Sequence, residues 1–375
     1  MLARSRSLAI PGGVELELPL LVPSYTSKGF PFSAPAAGKR GSSKELSDVA
    51  NVMRDMAPHS PKATLISAYD IHFGHLHERA GVAPVMGLLR DTALVFIDSG
   101  GYELAPDFDS TEPRIMQVAI KSGYDLSSYT QVLAELGKLR DCPPLCIASY
   151  DWETRGLAFR EQVQRARDFF DEHQNHMSDV ILKPWKAESS SSRRRRGSHS
   201  PRLIDLSTLS RADFKQLSAF AIIGVTEKEL GASIWDRLKA VAVLRSGLDD
   251  AGVDSPIHVY GGLDPVLTPL YFFAGAEIFD GASWLRYAYW RGVATCQESY
   301  GVLHPQVGVQ KSTATRNGLA FSHNLSYLDN LACALREWVL YEGQQFNMFD
   351  TSVEKQLEQA YRTMRAGIAS LKGGA

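Results

Sequence analysis

Short apolar runs rich in β-branched residues alternate along this chain with longer segments whose apolar residues recur every three or four positions. The first pattern predicts β-strands and the second amphipathic helices, an alternation typical of β/α units around a parallel sheet. The helical spacing is clearest at 160–173 (REQVQRARDFFDEH) and 234–248 (IWDRLKAVAVLRSGL). The predicted strands cover 17–22, 63–69, 93–98, 145–150, 179–183, 220–224, 257–262 and 276–279.

Eight strands with helices between them predict an α/β fold, a closed TIM-type (β/α)8 barrel, with an open doubly wound sheet as the alternative. The strand pattern stops near residue 300, and 325–340 and 353–371 predict two helices. We therefore expect a barrel catalytic domain over 1–300 and a C-terminal helical region over 301–375 packed on it. The run 187–201 (AESSSSRRRRGSHSP) predicts a disordered insertion between two barrel units.

Composition narrows the class of protein. With 44% hydrophobic and 22% charged residues in 375, the chain is an ordinary globular protein. Its 40 basic and 42 acidic residues give a net charge of −2, which excludes a highly basic binder. Any contact with nucleic acid must then use local patches, for which Arg193, Arg194, Arg286 and Arg291 are candidates.

The cysteines and the apolar segments of the chain indicate the cellular compartment in which the protein is expected. Four cysteines, none in a Cys-x-x-Cys pair, are too few for a disulfide framework in a chain of this length. A reducing compartment is the natural expectation. No leader-like stretch and no apolar run of about 20 residues is present, so we expect a soluble, cytoplasmic protein without membrane contact.

Three aspartates follow predicted strands and carry the candidate chemistry: Asp98, Asp151 and Asp280. Because the carboxyl ends of barrel strands meet at one mouth, the three carboxylates should converge there. Converging carboxylates can serve as nucleophile, general acid/base and hydrogen-bond acceptor, a trio that suits glycosyl chemistry. For any one of them alone, capping of the following helix is the competing interpretation.

These motifs resemble those of the tRNA-guanine transglycosylases. The run 97–103 (IDSGGYE) resembles the family's DSGGFQ signature, and 256–284 resembles the segment in which an HLFG-type strand precedes the strand carrying the nucleophile. Within it, FDGASW at 279–284 is closest to the FDSASY form of the archaeosine branch. IGV at 223–225 and HNL at 323–325 resemble that branch's LGA stretch and HNL helix start. The resemblance extends from about residue 60 to 345.

The resemblance implies roles for individual residues. Asp280 would attack the ribose C1′ of a target guanosine and form a covalent glycosyl-enzyme intermediate, with Asp98 as general acid/base. Asp151 would accept hydrogen bonds from the N1–H and exocyclic amine of the base. Tyr102, in place of the family's Phe, would stack on the heterocycle.

Glycines and their neighbours complete the implied base pocket. Gly224 and Gly261 would bring backbone amides to the base edge. The same motifs assign substrate binding to Ser99, Gly100, Gly101, Val225 and Gly262.

The chain also departs from the family pattern. Of the family's zinc motif, CxCxxC followed by the histidine of HNL, only Cys296 and His323 remain, so we expect no metal and no other cofactor. The family's VQG base-reading strand is LKPW at 182–185, without the glutamine. We also expect no additional C-terminal RNA-binding domain of the kind that archaeosine enzymes carry. In these departures the chain resembles the DNA-modifying relatives of the family, which insert 7-cyano-7-deazaguanine into DNA.

We therefore expect an enzyme, a pentosyltransferase that exchanges guanine in a nucleic acid for a 7-deazaguanine, with DNA slightly favoured over tRNA. Its partners would be nucleic acid and the free base, and a homodimer or partner subunits stay open. One alternative is a catalytically silent barrel that binds nucleic acid or supports an active subunit, against which the three aspartates argue. Another is a glycoside hydrolase with paired carboxylates.

Overall fold

The computed structural model describes residues 2–28, 48–59, 61–76, 82–104, 123–151, 154, 156–185 and 203–372. Its strands are β1 (Ser7–Ile10), β2 (Val14–Glu17), β3 (Leu20–Tyr25), β4 (Ala63–Ser67), β5 (Leu94–Asp98), β6 (Leu145–Ala148), β7 (Met177–Leu182), β8 (Ile222–Thr226), β9 (Ile257–Tyr260), β10 (Ile278–Gly281), β11 (Tyr287–Trp290) and β12 (Val293–Cys296).

Strands β3 to β10 close into a barrel in which each strand pairs in parallel with the next and β10 pairs with β3. The predicted TIM-type α/β barrel is confirmed, and the open doubly wound alternative is excluded. Each strand is buried on both faces, which is why each appears in the sequence as a nearly continuous apolar run.

Several strand boundaries differ from the prediction. The predicted strand 17–22 spans two elements, because β2 ends at Glu17 and β3 begins at Leu20. Strands β8 and β10 begin two residues later than predicted, since Phe220 and Ala276 are buried without belonging to the barrel ladder. Apolar character marks burial, whereas a strand begins where backbone pairing begins.

The helices lie mostly between successive strands and cover the barrel. In chain order they are α1 (Asp48–Met56), α2 (Ala68–His72), α3 (Ala83–Gly87), α4 (Gly101–Leu104), α5 (Leu126–Leu136), α6 (Phe159–Asp171), α7 (Arg211–Gln216), α8 (Glu227–Leu230), α9 (Ile234–Asp250), α10 (Leu267–Phe273), α11 (Ser283–Arg286), α12 (Gln297–Leu303), α13 (Thr313–Leu340) and α14 (Glu354–Lys372). Among the described residues, no helix is both long and apolar enough to cross a bilayer. The predicted insertion 187–201 lies outside the described residues.

Helix α13 begins twelve residues before the predicted start at 325, so the prediction captured only its second half. Ser312 caps its first turn by accepting a hydrogen bond from the Thr315 amide. The polar and small residues of this first turn hide the apolar spacing. The HNL run at 323–325 is therefore in the interior of a helix, and the expectation that it starts one is wrong.

The amino-terminal end of the barrel is sealed by the antiparallel hairpin β1–β2. One apolar cluster joins the hairpin to side chains near the beginnings of the barrel strands. Its members include Leu8, Ile10, Leu16, Leu18, Leu20, Ala63, Leu94, Met177, Ile222 and Ile278. The polar groups of the interior consequently lie toward the opposite end, where the strands terminate.

The C-terminal helix α13 packs against β3 and β11 and fixes the segment that follows β10. Asn324, fully buried within this helix, donates from Nδ2 to the carbonyls of Trp284 (2.6 Å) and Tyr287 (2.7 Å). Its Oδ1 accepts from the Tyr289 amide at 2.7 Å. A single amide side chain thus holds three backbone groups of the segment 284–289.

Candidate active site

The three predicted aspartates lie together, buried, at the carboxyl end of the barrel. Asp98 is the last residue of β5, Asp280 belongs to β10, and Asp151 follows β6. The negative charges of Asp151 and Asp280 contribute to the raised pKa of Asp98, which reflects their proximity. The convergence expected from the barrel fold is therefore present in the structure.

Asp280 accepts one hydrogen bond from β3 and one from the turn after β9, and it lies beside the His258 ring of β9. Ser24 of β3 donates from Oγ to Oδ2 at 2.8 Å, and the Gly261 amide donates to Oδ1 at 3.0 Å. Nε2 of His258 lies 3.3 Å from Oδ1, within ion-pairing range but without the alignment of a hydrogen bond. Gly261 was expected to direct its amide to a base edge, and in the structure that amide faces Asp280.

Beneath Asp280 lies a second polar layer that the sequence did not reveal. Nδ1 of His258 is 2.6 Å from Oδ2 of Asp179, and the Tyr260 hydroxyl donates to the same oxygen at 2.9 Å. The His258 and Tyr260 rings stack at 3.9 Å between centroids. Burial lowers the pKa of His258, but Asp179 and Asp280 outweigh burial and raise it to about 9.

Gly224 makes room for this layer. A Cβ at Gly224 would lie 2.7 Å from the Tyr260 ring and 2.8 Å from Oδ1 of Asp179. The glycine is thus required by packing inside the barrel, whatever its amide does. The neighbouring Val225 is fully buried in the apolar layer that surrounds the barrel, so its side chain does not face the mouth.

Asp98 has surroundings that disfavour a charged carboxylate. Burial is the largest cause of its strongly raised pKa, and the nearby Glu103, Asp151 and Asp280 raise it further. One donor opposes them, the Gly100 amide at 3.0 Å from Oδ2. Asp98 is therefore suited to carry a proton.

Gly100 needs to be glycine for two reasons. Its φ of +92° is in the region that side chains disfavour, and a Cβ would lie 2.9 Å from Cβ of Tyr69 and 3.0 Å from the Tyr124 ring. Gly101 is similarly tight, because a Cβ there would lie 2.8 Å from Oδ1 of Asp151. Gly101 of the DSGG run thus allows the backbone to pass close to Asp151, and Gly100 allows it to pass close to Tyr69 and Tyr124.

Asp151 is held on both oxygens. Ser99 donates from Oγ to Oδ1 at 2.6 Å, and Nζ of Lys183 lies 2.8 Å from Oδ2. Burial raises the pKa of Asp151, but the ion pair with Lys183 and the hydrogen bonds from Lys183 and Ser99 bring it below its usual value. Ser99, expected to bind substrate, thus contacts Asp151 directly.

Lys183 itself is enclosed by three oxygen atoms. Besides Asp151, Nζ contacts Oε2 of Glu229 at 3.2 Å and Oγ1 of Thr226 at 3.0 Å. The two carboxylates more than compensate for burial and raise the pKa of Lys183. The lysine was noted in the sequence only as a departure from a motif, and its ion pairs were not predicted.

Tyr102 lies at the rim of the site between two cations. Nζ of Lys28 is 4.4 Å from the centre of the Tyr102 ring, and the Arg286 guanidinium donates to the Tyr102 hydroxyl. Arg291 is exposed in the two-residue turn between β11 and β12, stacked over Trp290. Arg193 and Arg194 lie outside the described residues. Gly262 is in the turn after β9, where a Cβ would lie 2.8 Å from Val259.

The residues left from the zinc motif do not fit a zinc site. Cys296 is exposed, and His323 packs among the rings of Trp290, Tyr300 and His304. Within the part of the chain that the structure describes, no three His, Cys, Asp or Glu side chains are grouped to hold a metal. A tetrahedral zinc site needs four such ligands.

Two surface clefts lie away from the aspartates. One, of about 400 Å³, is beside the hairpin at the sealed end of the barrel and includes Arg6 and Asp254. The other, of about 360 Å³, lies between α9, α10 and α14 and is lined by Trp235 and Leu270. Neither involves the polar layers of the mouth.

We compared the sequence with protein-family models and with curated proteins. No protein-family model matches it, and no curated protein matches it either. The function must therefore be argued from the site.

Proposed function

We propose that this chain is a base-exchange glycosyltransferase that replaces guanine in a nucleic acid with a 7-deazaguanine such as 7-cyano-7-deazaguanine. The proposal rests on one observation: two neighbouring buried carboxylates have opposite surroundings. Asp280 faces Ser24, the Gly261 amide and His258, whereas Asp98 faces other carboxylates and has a raised pKa. Such a pair suits a nucleophile beside a proton donor. The resemblance of the surrounding motifs to transglycosylases supplies the substrate class.

In the first half of the proposed exchange, an oxygen of Asp280 forms a bond to the ribose C1′ while the C1′–N9 bond to guanine breaks. Asp98 gives its proton to the departing base, so that guanine leaves neutral. The target nucleotide must leave its base stack to reach a site at the barrel mouth.

In the second half, N9 of the incoming base forms a bond to C1′ while the ester bond to Asp280 breaks. Asp98 then takes the N9 proton and is restored. Asp151 keeps its charge through the contacts with Lys183 and Ser99, which use one acceptor position on each oxygen. The second lone pair of each oxygen would accept the N1–H and the exocyclic amine of the base.

Tyr102 and its two cations suit the nucleic-acid side of the site. An aromatic ring can stack on a base, while Lys28 and Arg286 can neutralise nearby phosphates. Arg291 offers a further exposed cation on its hairpin turn. DNA is the favoured polymer on the sequence grounds given above, with tRNA as the alternative.

A labelling experiment tests the proposal. Wild-type protein, Asp280→Asn and Asp250→Asn are incubated with labelled guanine or 7-cyano-7-deazaguanine, with DNA and tRNA in parallel, and label in polymer is counted. Asp250 is exposed at the end of α9, so its variant is the matched control. We expect wild type and Asp250→Asn to incorporate label. The rate of incorporation should fall on the order of a hundredfold in Asp280→Asn.

The outcomes separate the alternatives. Label in tRNA but not in DNA would retain base exchange and overturn the preference for DNA. Release of free sugar from a glycoside, with no label in either polymer, would replace the proposal with glycoside hydrolysis. Equal incorporation by wild type and Asp280→Asn would remove Asp280 from the nucleophile role.

A further inference from the structure

His258 is clamped between two carboxylates in the interior of the barrel. Its Nδ1 lies 2.6 Å from Oδ2 of Asp179, and its Nε2 lies 3.3 Å from Oδ1 of Asp280. The ring is fixed by stacking on Tyr260 and by an edge contact with Phe96 at 5.3 Å between centroids. The imidazole is fully buried and has little freedom to turn away from either carboxylate.

This geometry favours a positively charged ring. A neutral imidazole carries one N–H, so its other nitrogen would direct a lone pair at a carboxylate oxygen. Only the doubly protonated ring donates to Asp179 through Nδ1 and also places an N–H instead of a lone pair near Asp280, where Nε2 lies 3.3 Å from Oδ1, within ion-pairing range. The raised pKa of His258, about 9, agrees with this reading.

The other titratable groups near His258 do not cancel the negative charges of Asp179 and Asp280. Cys146 of β6 and Asp98 of β5 reach the same interior, near Asp179 and Tyr260 respectively. Burial raises the pKa values of Cys146 and Tyr260, which keeps both groups neutral. The imidazolium of His258 therefore has Asp179 and Asp280 as its nearest opposite charges.

We propose that His258 is a positioning residue that makes the Asp280 carboxylate a good leaving group in the second half of the exchange. The inference rests on the proposed function. When Asp280 is bonded to C1′ it is a neutral ester, and negative charge returns to its oxygen as the ester bond breaks. The imidazolium 3.3 Å away stabilises that charge as it develops. Asp179 keeps the imidazolium oriented and charged.

We predict that replacing His258 makes the second half-reaction, breakdown of the adduct, the slow one. His258→Gln keeps a polar side chain but removes the positive charge, so the covalent adduct should form at a rate near that of wild type and break down on the order of a hundredfold more slowly. Protein is mixed with a labelled oligonucleotide and with 7-cyano-7-deazaguanine, the acceptor for the second half-reaction, and is quenched in denaturant at successive times. The fraction of covalent adduct should rise strongly in the variant.

Two further variants separate an effect of the His258 charge from an effect of misfolding. Asp179→Asn retains His258 and removes its anchor, and we expect adduct to accumulate in the same direction. His59→Gln changes an exposed histidine and should behave as wild type. Far-UV circular dichroism checks that each variant is folded.

A second readout does not depend on turnover. Ring ¹⁵N chemical shifts of histidine-labelled protein should show both nitrogens of His258 protonated at pH 7 in wild type. A neutral ring at pH 7 would overturn the inference.

The two proposals fail in different ways. If wild type forms adduct and His258→Gln breaks it down equally fast, the leaving-group role is wrong while base exchange stands. If wild type forms no adduct with DNA or tRNA, the proposed function is wrong and the assigned step falls with it.

Discussion

The ammonium group of Lys183 holds two buried carboxylates, Asp151 and Glu229, inside the protein. Lys183→Met removes this cation from two buried carboxylates that it contacts at 2.8 Å and 3.2 Å. We expect the free energy of unfolding to fall by about 3–5 kcal/mol, measured by chemical denaturation.

An exposed lysine provides the control. Nζ of Lys62 lies 3.8 Å from Glu17, and both side chains are more than half exposed. Lys62→Met should change the free energy of unfolding by less than about 1 kcal/mol, because solvent screens such pairs. A loss in Lys183→Met no greater than that of the control would show that the buried cation does not stabilise the fold.

The sequence identified Asp98, Asp151 and Asp280 because each follows an apolar run at a strand's carboxyl end. It did not identify Asp179 or His258, which lie inside strands among apolar neighbours. Their contact joins residues 79 positions apart and exists only once the barrel closes, so no local pattern encodes it.

A usable signal was nevertheless present in β7. Alternate side chains of a strand face the same side, which groups Asp179 with Met177 and Ile181 on the inward face. Lys183 continues the same alternation one residue after β7 ends. Asking which inward positions are polar would have found both charged residues.

The hairpin β1–β2 seals one end of the barrel and should thereby contribute to the free energy of unfolding. Leu16 of β2 is buried in the cluster shared with the barrel strands, whereas Val14 of the same strand is 49% exposed. Leu16→Ala should lower the free energy of unfolding by about 2–5 kcal/mol, since it removes packing that the surroundings cannot replace. Urea denaturation measures the loss.

Val14→Ala is the matched control in the same strand and should cost no more than about 0.5 kcal/mol. Similar losses in the two variants would mean that the hairpin does not contribute to the packed end of the barrel.

The elements differ in how well the sequence predicts them. All eight barrel strands were found, because burial on both faces gives long apolar runs. The hairpins β1–β2 and β11–β12 were not found, since each of their strands has four residues and alternates in burial only briefly or not at all.

For the whole molecule, the charge of His258 predicts how stability depends on pH. Its pKa is about 9 in the folded state against about 6.5 when unfolded, so its contribution is complete below pH 6.5 and is lost as the pH rises through 9. The difference in free energy of unfolding between wild type and His258→Gln should therefore shrink by about 3 kcal/mol from pH 6 to pH 10.

Comparing the two proteins isolates His258, because Asp98 is present in both. The raised pKa of Asp98 also removes stability as the pH rises, while the lowered pKa of Asp151 removes stability only in acid. Denaturation curves at each pH provide the measurement. A difference that stays constant across this range would contradict a charged His258.

Because of the Asn324 contacts, the segment 284–289 depends during translation on a helix that is synthesised after it. The last barrel strand ends at Gly281, but the segment 284–289 that carries Arg286 depends on a side chain in α13, which leaves the ribosome later. A nascent chain that stops before α13 contains all of the barrel strands, yet it lacks the helix that covers β3 and fixes this segment. Competence of the mouth is therefore acquired only after α13 has emerged, later than all eight barrel strands.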